Sequence, residues 1–165
     1  MAALSFTWIL QGAGWALVTA ADEHAEVEVT ASYAAHTDAP AHFLYALARL
    51  VLTDTQTEAE FHAEPEVYRW FFHRDGSEVD IRVVMADDYQ APTESGAELW
   101  ASRQSLDTLC RAAIRAFDRV RYELGEDTYQ TEWRRPFPHN ELETLRTAWR
   151  GQQSGPEEVH HSRSR

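Results

Sequence analysis

The side chains best placed to do chemistry are Glu60, Arg69, Phe71, His73, Asp80 and Arg82. They fall on alternate positions of "TEAEFHA" (57–63) and of "YRWFFHRDGSEVDIRVV" (68–84). Alternation places each run's members on one strand face. Asp75-Gly76 is a favoured two-residue hairpin turn. With that turn, Arg69 is expected opposite Arg82, His73 opposite Glu78, and Phe71 opposite Asp80. Like charges facing across strands repel, so two facing arginines need acids around them. Glu58 and Glu60 with His62 supply one such face, and Glu26 with Glu28 another. The surface has two readings. It is a solvated ion-pair net, whose exposed pairs contribute little, or a recognition surface, since Arg and aromatic residues are enriched in binding hot spots.

Other chemical motifs are weaker. Gly12-Ala13-Gly14 begins a G-x-G-x-x-G pattern, but Leu17 occupies the third glycine position and no helix follows, so no nucleotide site is expected. G-x-S-x-G, H-E-x-x-H and P-loop motifs are absent from the sequence. The chain has 8 histidines, but they lack the converging spacing of a zinc site. His62 and Glu64 share a strand face that His73 could join; structural roles fit them better than ligation. Cys110 sits on the apolar stripe of a helix, which suits an inert buried thiol. No catalytic, cofactor or metal residue is assigned.

The elements around these residues read clearly. "LSFTWIL" (4–10), "GWALVTA" (14–20) and "AEVEVTASY" (25–33) are strands by alternation. The first two also answer the question of a signal peptide, since no basic residue precedes Arg49 and Gln11, Gly12 and Gly14 interrupt the apolar run. A helix follows, with Thr37 or Asp38 as cap, Pro40 in its first turn and Phe43, Leu44, Leu47, Leu50 and Val51 on one stripe. After the hairpin, "DDYQAPTESG" (87–96) is a polar loop and "AELWASR" (97–103) the last strand. Tyr68, Trp70, Phe72, Val79, Ile81 and Val83 form the apolar side of the hairpin and are expected to face the helices. Ser105 caps a long helix that Gly125 ends. "DTYQTEWRR" forms a short helical turn, Pro136 and Pro138 stiffen a link that seats Phe137, and Asn140 with Glu143 starts a final helix as a capping box closed by Gly151. The expected fold is α+β, two-layer, with a mostly antiparallel sheet of six to seven strands and helices packed on one face. Residues 1–151 make one domain, and the polar residues 152–165 form a disordered tail.

The formal charge of −12 disfavours nucleic acid and anionic membrane as partners and suits a basic protein. All 15 basic residues are arginine, a bias that suggests a GC-rich, actinobacterial genome. A single cysteine cannot form an internal disulfide, so a reducing, cytoplasmic compartment is the simplest reading.

Four stretches taken in order, "GAGWA" (12–16), "ASY" (31–33) before a helix, "EPEVYRWFF" (64–72) and "YQTEWRRPFPHNELETLR" (129–146), resemble a family of small actinobacterial α+β proteins. Proteins of that general look include immunity partners of polymorphic toxins. The resemblance spans residues 4–150 and carries over no catalytic residue. The reading is a non-enzymatic acidic protein-binding domain, with a toxin-neutralising protein as one version. A small enzyme with a site formed only by folding, or a subunit of a larger assembly, are the alternatives.

Overall fold

A computed structural model describes residues 3–153. Within them the order is β1 (Ser5–Gly12), β2 (Trp15–Ala21), β3 (Glu26–Ser32), α1 (Ala39–Leu52), β4 (Gln56–His62), β5 (Val67–Asp75), β6 (Glu78–Ala86), β7 (Ala97–Ser105), α2 (Leu106–Leu124), α3 (Glu126–Trp133) and α4 (His139–Gln153). The class is α+β and every strand pair is antiparallel. The single sheet of six to seven strands is corrected, because β1–β2–β3 form one sheet and β4–β5–β6–β7 another. The physical reason lies in the aromatic core. Were β4 to continue the first sheet beyond β3, β1 and β5 would stand four strand spacings apart, roughly 19 Å. Instead the rings of Phe6 on β1 and Trp70 on β5 are 5.8 Å apart, and those of Trp8 and Phe61 are also 5.8 Å apart. The sheets turn their inner faces towards one another, and small residues on the first (Ala16, Ala20 and Ala31, all buried) leave the space.

The helices fill the shared core rather than covering one face of one sheet. Phe43 of α1 stacks on Phe6 at 4.7 Å and meets Trp70 and Phe72 edge-on at 5.5 and 5.9 Å. Phe117 of α2 packs on Trp8 at 5.7 Å. Each of these large side chains contributes about 1.5–3 kcal/mol by leaving water. Helix ends follow the sequence in part. The Ser105 hydroxyl accepts from the Thr108 amide at 3.0 Å, and Gly125, at φ +77°, ends α2. Asp38 is the N-cap of α1 but makes no side-chain cap bond; its carboxylate instead accepts from the Trp133 indole at 2.7 Å. The capping box expected at Asn140 is not the start of α4, which begins at His139 with the Pro138 carbonyl accepting from the Leu142 amide at 3.0 Å. Phe137 packs on Tyr129 at 5.1 Å, as an anchoring residue should. Helix α4 runs through Gly151 to Gln153, and the remaining residues of the expected tail, 154–165, lie outside the described residues.

The hairpin of β5 and β6 keeps its faces and loses its predicted register. Asp75 pairs with Glu78, so Gly76 and Ser77 are the turn. Gly76 has φ +61° and Ser77 does not share the positive φ, as expected of a type II′ turn with glycine first. Every pairing shifts by two residues: Arg69 faces Val84, Phe71 faces Arg82, and His73 faces Asp80. Arg69 and Arg82 are therefore not opposite one another. An even shift preserves the sides, so Trp70, Phe72, Val79, Ile81 and Val83 are all buried, whereas Tyr68 at the end of the row is only half-buried.

Candidate binding face

The outer face of the second sheet is built from cross-strand rows. Gln56, His73, Asp80 and Arg103 form one; Glu58, Phe71, Arg82 and Ala101 the next; Glu60, Arg69, Val84 and Glu98 a third. The loop 87–96 folds back over the third row, and Arg69 is what holds it. Its guanidinium donates to the carbonyls of Ala91 at 2.8 Å, Pro92 at 2.9 Å and Tyr89 at 3.3 Å. Its Nε lies 3.4 Å from Glu60, which also pairs with His62 at 3.1 Å. Arg69 is 3% exposed. Of the expected partner-binding residues, Arg69 is thus buried and ties the loop to the sheet, while the Glu60 carboxylate beside it is half-buried.

Phe71, His73, Asp80 and Arg82 do converge. They lie in an open groove of about 1350 Å³, whose further edges are His42 and Arg49 of α1 and Thr93 and Glu94 of the loop. The Arg82 guanidinium lies over the Phe71 ring at 5.4 Å and pairs with Glu98 at 3.2 Å. Arg103 pairs with Asp80 at 3.0 Å and Asp75 at 3.5 Å, and the hydrogen bonds it donates to Asp80 hold it more firmly protonated. Arg49 pairs with Asp54. Burial pushes the His42 imidazole below its usual range against the opposing fields of Glu60 and Glu58, so the ring is neutral at pH 7. Its Nδ1 accepts from the Glu60 amide at 3.4 Å.

His42, Arg49 and Glu94 escaped the sequence reading because they come from a helix and a loop rather than the sheet. Arg103 was legible, two residues from Ala101 on a strand that alternates. The imagined grouping of His62, Glu64 and His73 does not form: His62 bonds Glu60, Glu64 accepts from Ser32 at 3.4 Å, and His73 lies rows away. Among the described residues no group of three or more His, Cys, Asp or Glu could hold a metal ion. Cys110 is buried, and desolvation pushes its thiol up to about 12, with Asp107 adding to the shift. No described helix is long and apolar enough to cross a membrane. No protein-family model, curated protein or solved structure matches the chain.

Proposed function

We propose that this chain is a non-enzymatic, cytoplasmic protein-binding domain that receives its partner in the groove of the second sheet, a toxin-neutralising immunity-type protein being one form of that role. The observation carrying the reading is the groove's size and lining. At about 1350 Å³ it exceeds the roughly 300–1,000 Å³ of small-molecule sites. Its floor also sets the Phe71 ring beside Arg82 and Arg103, and aromatic residues and arginine are the types enriched in protein interfaces. The immunity-type form rests on the sequence resemblance and the acidic charge. The test is to co-purify the tagged chain with its partner from the native organism and map the contact on the isotope-labelled chain by NMR. Perturbations at Phe71, His73, Asp80 and Arg82 support the reading; perturbations confined to the first sheet or to the outer surfaces of α2 and α4 defeat it.

One observation favours a second reading. The groove is concave rather than flat, and His42 and His73 share it with Glu58 and Asp80, the residue types of general acid–base catalysis. Turnover of a small substrate that is lost in both His42→Ala and His73→Ala would replace the binding role with an enzymatic one.

A further inference from the structure

We propose that the occupant of the groove is an arginine- or lysine-bearing segment of a partner protein, held by the carboxylates of Glu58 and Glu94. This rests on the groove being the binding site and names the chemistry it would take. The three arginines lining it are already committed: Arg49 to Asp54, Arg82 to Glu98, and Arg103 to Asp80 and Asp75. Glu58 and Glu94, in contrast, make no hydrogen bond or ion pair with any described residue, although the field of Glu58 reaches His42. The groove is lined by these three arginines and by three carboxylates, Glu58, Asp80 and Glu94; because the arginines are also paired with Asp54, Glu98 and Asp75 outside the lining, the unspent charge is negative. A negative concave face attracts and orients a cationic partner and repels an anionic one.

The aromatic floor fits the same partner. Phe71 lies directly across from Glu58 on one side and Arg82 on the other. Its ring already carries one guanidinium at 5.4 Å, so an incoming cation beside Glu58 meets a carboxylate and a π-system together. The groove's volume favours a chain segment over an isolated small cation.

The experiment titrates an amidated tetra-arginine peptide into the isotope-labelled chain at low ionic strength, where surface charge is least screened. Expected are shift changes centred on Glu58, Phe71, His73 and Glu94. Replacing the two carboxylates together (Glu58→Gln, Glu94→Gln) should weaken binding about fivefold, the effect of two exposed ion pairs. The matched control (Glu26→Gln, Glu28→Gln) removes two exposed carboxylates from the first sheet and should leave the affinity unchanged. All four sites are exposed, so each variant should fold, which an unchanged Tm checks. Equal weakening by both pairs, or shifts spread over the first sheet, would mean diffuse attraction to an acidic surface and overturn the proposal. A native partner that binds in the groove but ignores Glu58→Gln/Glu94→Gln would remove this inference and leave the binding role standing. A native partner seated on another face would remove the binding role itself.

Discussion

Arg69→Ala is the most informative single perturbation. An exposed arginine can be truncated with a change of about 0.5 kcal/mol or less. Arg69 is not such a residue: it is 3% exposed and donates to three backbone carbonyls of the loop 87–96. Hydrogen bonds to a charged group contribute about 1.5–3 kcal/mol each when they stay buried. Here the full sum does not apply, because Tyr89 and Pro92 are exposed and their carbonyls can turn to water once released. The half-buried Glu60 carboxylate loses its cation as well. The expected cost is about 3 kcal/mol, the lower end of what breaking a buried charge pair costs. For a chain of this length that lowers Tm by roughly 6–12 °C. Arg69→Lys should fall in between, since one ammonium cannot reproduce the planar fork. Urea unfolding gives the free energy, and hydrogen exchange at residues 87–96 reports whether the loop is released before the sheet. A loss under about 0.5 kcal/mol, with unchanged exchange in the loop, would refute the claim that Arg69 holds it.

Other perturbations test the frame behind the groove. Gly14 has φ +77°, and a Cβ there would overlap the Tyr33 ring, which lies under the Arg134 guanidinium at 5.1 Å; Gly14→Ala should cost about 2 kcal/mol or more by urea unfolding. Burial raises the Asp38 carboxyl above its ordinary range while Trp133 donates to it. The folded state therefore holds that proton more tightly than the unfolded chain, and this group's contribution to stability grows as pH falls through its folded pKa. Asp38→Asn keeps the acceptor without the buried charge, so it should be near neutral at pH 7 and flatten that part of the pH dependence. Asp38→Ala should cost about 1–3 kcal/mol. Cys110, pushed up to about 12 by burial, should resist iodoacetamide in the folded chain at mildly alkaline pH and react once urea unfolds it; prompt native-state labelling would show that the α2 stripe opens.

The strands and both main helices were legible because their signals are periodic. The alternation of "YRWFFHRD" and "EVDIRVVMA" assigns sides whatever the turn, and both Asp75-Gly76 and Gly76-Ser77 are acceptable hairpin pairs. They differ by an even shift, so side-chain faces could be read while cross-strand neighbours could not. Arg69 was misplaced for a different reason. In β5 it alternates like any outward residue, and what buries it is a loop about twenty residues later whose carbonyls leave no trace in composition. Gly96, at φ +122° with Met85 and Val84 pressed where a Cβ would stand, was the available hint that this loop lies close to β6. The division into two sheets had its own faint signal, since Phe6 and Trp8 of β1 face inward beside the small Ala16 and Ala20 of β2. Such a face has room for a second layer that amphipathicity alone does not identify.

Whether the groove is the binding site is decided by the affinity of the co-purified partner for two charge-reversed chains. One carries Glu58→Arg with Glu94→Arg in the groove, and the other Glu26→Arg with Glu28→Arg on the outer face of the first sheet. By calorimetry, the groove reversal should weaken binding by at least about tenfold, 1.4 kcal/mol, while the first-sheet reversal leaves it within about twofold. Loss of affinity in the first-sheet variant, with the groove variant binding like the parent chain, would contradict the account.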